Sequence, residues 1–253
     1  MKVKTIITTC GIIMATALLA VSCVKETGKE VALEQTDFTN KAFVQIYNGT
    51  ISSTRNYVYV DGTPVTGAPL VYAATFPSTP ANFSIPGGFR AFLIRDTSST
   101  ILTQPTMTFA ENFQANNNYT IFMYDTVTNP KQKTVVNNII IPTDTTSRVR
   151  FANFIFSTSA VPNVDIFSVK KNANVFTNIA VTDVTEYIPY ASSSKTVEND
   201  TLYVRETATS NLLATFNGFA PVRKRSYTLI FRGSYKTAGT TGVARLLSSF
   251  SSN

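Results

Sequence analysis

The chain has 253 residues, is poor in charge (15%) and carries a formal +7. It contains no histidine, no tryptophan and only two cysteines, Cys10 and Cys23. That excludes a Ser–His–Asp triad, a Cys–His dyad, a histidine metal ligand and a tryptophan sugar-stacking platform, leaving Tyr and Phe for stacking.

Met1-Lys2-Val3-Lys4 supplies two positive charges, and Ile6 to Val21 contains none. A basic start, an apolar run and small closing residues form a secretory signal, shorter than the roughly 20 apolar residues of a membrane span. Leu19-Ala20-Val21-Ser22-Cys23 resembles a bacterial lipobox in the loose form common in lipoproteins of the Bacteroidota. Ala20 holds the usual leucine place and Leu19 sits one residue further back. The expectation is a signal peptide over 1–22 and a lipid on Cys23, anchoring the protein to the outer membrane. An ordinary cleavage site or a retained short anchor competes with this. Too few apolar residues precede Cys10 for it to take the role. Cleavage removes Cys10 and lipidation occupies Cys23, which would leave no thiol for a disulfide, a nucleophile or a zinc site.

Residues 23–40 are polar and read as a flexible tether. Lys25-Glu26 resembles the charged export tag of surface-displayed lipoproteins, so the expected location is the periplasmic face or the cell surface. Loss of Lys2 and Lys4 leaves +5. The clusters Lys170-Lys171 and Arg223-Lys224-Arg225 are short, sit beside turns and read as solvated surface, with no nucleic-acid partner expected.

From residue 41 the pattern is that of strands. Val44 and Ile46 alternate with Gln45 and Tyr47; Val58 and Val60 with Tyr57 and Tyr59; Phe92 and Ile94 with Leu93 and Arg95. Tyr119, Ile121 and Met123 share one side. Such runs predict half-buried strands. Asn48-Gly49, Asp61-Gly62, Pro86-Gly87-Gly88 and Asn116-Asn117-Asn118 predict turns. Thr134 to Ile141 predicts one more strand, and 142–147 a linker. No stretch after Cys23 has a helical period with caps.

The pattern then restarts. Arg148-Val149-Arg150-Phe151-Ala152-Asn153 matches Phe43-Val44-Gln45-Ile46-Tyr47-Asn48. Asn199 to Glu206 parallels Gly88 to Asp96. Ser226 to Phe231 matches Asn118 to Met123, and Gly242 to Leu247 matches Thr134 to Ile139. Two copies of one domain are expected, 41–141 and 148–250. The fold class is all-β: two tandem antiparallel β-sandwiches of immunoglobulin-like or transthyretin-like type, with about seven strands each. A closed barrel per copy is the alternative.

The motif order resembles the DUF4397 domain. The first strand ends in Asn, the second in Asp61-Gly62, a Pro-Gly-Gly turn enters the next, and a late strand reads Tyr-Thr-Ile. Val149 to Asn153 and Val164-Asp165-Ile166-Phe167 are similar to two strands of that family. The resemblance spans Ala42 to about Leu247 as two copies. In the first copy Tyr57 stands where the second has Asp165. The resemblance implies an exported β-sandwich and no established activity.

Asp165 is a candidate calcium or ligand residue, against a carboxylate that accepts loop N–H groups. Tyr119 and Tyr227 are candidate sugar platforms, against core tyrosines whose hydroxyls reach a loop. Glu198-Asn199-Asp200 reads as a turn, because no calcium-loop run is present. The acids are scattered and not repeated between copies, so no enzyme, cofactor or metal is expected. Asp125-Thr126-Val127, Asp144-Thr145-Thr146 and Asp200-Thr201-Leu202 resemble O-glycosylation sequons of the Bacteroidota, making Thr126, Thr145 and Thr201 candidate sites in expected loops.

The resulting expectation is a non-enzymatic cell-envelope lipoprotein, a binding or structural module whose partners are the membrane and a protein or glycan ligand. A fimbrillin-like adhesin or pilus subunit is the alternative, although no Arg lies between Cys23 and Arg55 for the processing such subunits undergo. Carbohydrate binding would require Tyr57 and Tyr59, or Tyr187 and Tyr190, side by side on a surface.

Overall fold

A computed structural model describes residues 37–52, 56–78, 80–96, 107–139, 141–192, 199–240 and 242–252. The expected signal segment, Cys10, Cys23, Lys25-Glu26 and the expected tether up to residue 36 lie outside the described residues.

The described residues are all β, with no helix. The first half contains β1 (Lys41–Asn48), β2 (Asn56–Val60), β3 (Thr63–Pro64), β4 (Thr75–Phe76), β5 (Phe83–Pro86), β6 (Gly88–Asp96), β7 (Met107–Phe113), β8 (Asn118–Thr126) and β9 (Asn129–Val136). The second contains β10 (Ser147–Phe156), β11 (Val164–Ser168), β12 (Ala173–Ile179), β13 (Ile188–Tyr190), β14 (Asp200–Glu206), β15 (Leu212–Phe219), β16 (Ser226–Ser234) and β17 (Leu246–Ser252).

The strands form four sheets of sandwich type. In the first half the orders are β4-β1-β8-β9, with β5 also on β1, and β3-β2-β6-β7. In the second they are β13-β10-β16-β17 and β12-β11-β14-β15. The registers match as well. Phe43 faces Asn118 and Arg148 faces Ser226. Tyr57 faces Arg95 and Asp165 faces Arg205, so Tyr57 and Asp165 hold equivalent places.

The sheets are not purely antiparallel, which corrects one expectation: β1–β8 and β10–β16 are parallel pairs. A parallel pair cannot close through a tight turn. The intervening chain therefore builds the facing sheet before it returns. Between the sheets of the first half, Val44, Ile46, Val58, Val60, Phe92, Ile94, Ile121 and Met123 are buried. Val149, Phe151, Val164, Ile166, Leu202, Val204, Leu229 and Phe231 fill the second core.

Local chemistry explains the repeated Asn at the end of the first strand. Asn48 Nδ2 donates to Leu70 O (2.9 Å) and its Oδ1 accepts Thr50 N–H (3.1 Å). Asn153 repeats both bonds, to Ile179 O (3.2 Å) and from Ile155 N–H (3.4 Å). Asp61-Gly62 forms the expected two-residue hairpin, both residues with positive φ (49° and 81°). Asn48-Gly49 does not turn. The chain continues beside β8, and a Cβ on Gly49 would lie 2.9 Å from Met123 O.

Three further expectations are corrected. The last strand of the first half is β9, not Thr134 to Ile141, because the two-residue turn Val127-Thr128 folds the chain directly back along β8. Thr134 faces Ile121 and Ser249 faces Leu229, so Ser249, not Gly242, is the counterpart of Thr134. The longer 235–245 connection, tied by Arg245 to Tyr235 O and Leu213 O, displaces the match. The linker reading ends one residue late, since Ser147 is already buried in β10.

Phe38–Asn253 packs as one compact unit. The cause is a third apolar cluster between the halves: Tyr47, Phe122, Ala152, Phe154, Ile230 and Phe250. The Phe122 and Phe154 rings lie 4.8 Å apart and the Tyr47 and Phe250 rings 5.3 Å. Strands β1, β8, β10 and β16 are therefore buried on both faces, where alternation predicts one solvated face. Phe122→Ala should cost about 3–5 kcal/mol, read by urea unfolding; a loss below about 1 kcal/mol would show that this cluster does not hold the halves together.

Candidate functional site

The polar feature of the seam is Arg150 of β10, whose side chain is fully buried. Its Nε donates to Thr228 Oγ1 (2.9 Å) and its Nη2 to Thr120 Oγ1 (3.1 Å) in the first half. The guanidinium lies 4.8 Å from the Tyr187 ring centroid and 5.7 Å from that of Phe122. Among the described residues no carboxylate forms an ion pair with it. Burial lowers its pKa, against the pull of Tyr187 and Glu186, and the group remains a cation.

Beside it opens a cleft of about 580 Å³, within the ~300–1,000 Å³ usual for small-ligand sites. Asn116, Asn117 and Asn118 contribute the turn into β8, and Asn137 and Asn138 the exit from β9. Arg148, Glu186 and Tyr187 come from the second half. Asn116 adopts φ 67°, which Asn tolerates better than most residues. The amides are partly used. Asn117 Nδ2 donates to Gln114 Oε1 (3.1 Å), Asn118 Oδ1 accepts from Asn82 (3.2 Å), and Asn137 bonds Thr120. Asn117 thus offers a carbonyl oxygen, Asn118 an amide nitrogen, and exposed Asn138 both. The buried Tyr187 hydroxyl has no protein partner. Arg148 pairs with Asp144 (3.7 Å).

A second cavity of about 430 Å³ opens elsewhere on the seam, with the Asp125–Lys131 pair (2.8 Å) on its wall. A third, about 390 Å³, is bordered by Ile139, Ile141, Lys224 and Arg225.

The residues singled out from sequence fall elsewhere. Asp165 Oδ1 accepts Asn178 N–H (2.8 Å) and the Thr207 hydroxyl (2.6 Å); Oδ2 accepts the Asn174 amide (2.8 Å). It ties β12 and the loop after β14 to β11. Tyr119 accepts Gln114 N–H (2.8 Å) and Tyr227 accepts Val222 N–H (3.1 Å), so both hydroxyls reach a loop as expected. Among the described residues no cluster of three His, Cys, Asp or Glu could hold a metal.

Asp200 corrects the turn reading. It begins β14, is buried, and accepts Ser168 Oγ (2.5 Å), the Tyr190 hydroxyl and Lys170 N–H (3.0 Å). Tyr190 is therefore buried, and the Tyr187–Tyr190 row does not form on a surface. Tyr57 and Tyr59 are half-buried on one side of β2. Glu198 lies outside the described residues.

The sequons separate. Thr145 is exposed in a loop, Thr126 is half-buried at the end of β8, and Thr201 lies inside β14 facing Asn217. The last two correct the expectation that all three fall in loops. Sequence reasoning missed Arg150, Glu186 and the role of the asparagine turns. An arginine on both sides of Val149 at the head of an apolar strand, and amides clustered in two turns, were the available signals.

No family model matches this chain, and no curated protein matches it.

Burial pushes the Asp200 carboxyl pKa up, but the bonds from Ser168, Tyr190 and the Lys170 and Thr201 N–H groups together outweigh it, and the net shift is downward. Asp200 thus stabilises the fold above its unfolded pKa of about 3.9, and that contribution fades as pH falls through the lower folded value. Asp200→Asn should flatten the loss of melting temperature between about pH 5 and pH 3; an unchanged slope would contradict the assignment.

Proposed function

We propose that the chain is a non-enzymatic lipoprotein of the cell envelope, held on the outer membrane through Cys23, whose two halves are tandem copies of a DUF4397-like domain acting as one rigid binding module. The observation that carries this reading is the seam. A continuous apolar cluster fixes one half against the other, and a polar cleft draws its walls from both. A joint so packed gives a bound ligand a preformed site and lowers the ordering cost of binding.

The state of the acids supports binding over catalysis. Asp165 and Asp200 are occupied by hydrogen bonds within the chain. Glycoside hydrolysis needs two facing carboxylates, and Glu186 is the only acid among the described residues that line the cleft.

Cys23→Ala should move the protein from the membrane fraction to the soluble fraction with its melting temperature unchanged. Retention in the membrane fraction would sink the lipoprotein reading. For glycosylation, exposure favours Thr145 over Thr126 and Thr201. Intact mass of protein from its native envelope should exceed that of the lipidated peptide, and Thr145→Ala should remove the excess. A mass equal to lipidated peptide alone would refute the modification.

A further inference from the structure

We propose that the 580 Å³ cleft binds a neutral, hydroxyl-rich ligand of the carbohydrate class. The inference rests on the binding-module reading and supplies its ligand chemistry. Tyr190 is buried and, among the described residues, no tyrosine row lines this cleft, so recognition rests on hydrogen bonds and not on the stacking expected from the sequence.

The charges around the cleft balance. Arg148 and Glu186 line it with one charge of each sign, and Arg148 is also paired with Asp144. A ligand of either sign would upset this balance, whereas a neutral one would not. The remaining groups suit hydroxyls, which both donate and accept. Asn117 offers an oxygen, Asn118 a nitrogen and Asn138 both. Glu186 supplies a carboxylate that can accept from adjacent hydroxyls, a charge-assisted contact stronger than a neutral one. The unpartnered Tyr187 hydroxyl is a further polar atom that the chain leaves unsatisfied at this wall.

The other half carries an internal comparison. By strand register, Asn118 corresponds to Ser226, and the residues before them, Asn117 and Asn116, to Arg225 and Lys224. Likewise Val136 corresponds to Ser251. Lys224, Arg225, Ser226 and Ser251 border the 390 Å³ cavity. Equivalent positions therefore contribute to two clefts, giving Lys224 and Arg225 to one and uncharged amides to the other. At the equivalent pair of positions Asn116 and Asn117 supply both donors and acceptors to read hydroxyls, where Lys224 and Arg225 supply donors alone.

The test is calorimetric titration of the full, detergent-solubilised chain with maltotriose, cellotriose, xylotriose and triacetylchitotriose, alongside trigalacturonate and chitotriose as charged counterparts. At least one neutral trisaccharide should bind, with both charged ones about tenfold weaker. Asn138→Ala and Glu186→Gln, both at exposed residues of the cleft, should each weaken binding about 2–10-fold, the size of a lost hydrogen bond, at unchanged melting temperature. No binding of any neutral trisaccharide up to about 10 mM, a preference for a charged one, or binding indifferent to both substitutions would overturn the proposal. If saccharides fail while Cys23 still directs the chain to the membrane fraction, the ligand class alone is wrong.

Discussion

Face-to-face packing of two parallel strand pairs governs this molecule. Tyr47 and Phe122 from one half meet Phe154, Ile230 and Phe250 from the other. Each half alone would be a sandwich with one large aromatic face uncovered. Buried together, these rings remove their area from water at about 25 cal/mol per Å² and stop the halves from moving independently. The cavities bordering the seam inherit that rigidity, because strands or turns fixed by the cluster carry their walls.

A purely apolar seam would specify area but not alignment. Arg150 adds direction: Thr228 steadies the guanidinium within its own half, and the bond to Thr120 forms only when both halves stand in one relation. Its place in the first half is held by Gln45, which donates to Ser251 O (3.2 Å) across the same seam. The two halves therefore use one position for the same purpose with different side chains. Leaving such a charge buried is costly unless polar atoms and ring faces surround it, as they do here.

The cores were legible from period-two alternation: Val44, Ile46, Val58, Val60, Phe92 and Ile94 all point inward. So were the tyrosine hydroxyls, since Tyr119 and Tyr227 alternate with core residues just after a turn. The second buried face was not legible. Gln45, Tyr47 and Thr120 look like a solvated side, and only a partner distant in sequence covers them. Edge strand β9 reads Asn-Pro-Lys-Gln-Lys, a loop by composition, because edges carry lysine and proline. Glu198-Asn199-Asp200 has the chemistry of a turn, and Ser168 and Tyr190, remote in sequence, bury Asp200 in a strand instead. The cleft was invisible for the same reason, since its walls meet only after the halves dock.

The seam uses register-equivalent positions from both halves. By register Tyr47 corresponds to Ala152, Phe122 to Ile230 and Val135 to Phe250, and all six belong to or pack against the shared cluster. A patch that meets its own counterpart is the signature of an isologous contact, the kind that joins two identical subunits about a two-fold axis. The molecule is thus built like a homodimer whose protomers have been joined into one chain. Joining frees each side from identity: a ring on one side can become alanine on the other, and two asparagines can stand on one side where the other has Lys224 and Arg225. A true homodimer would have to change both at once.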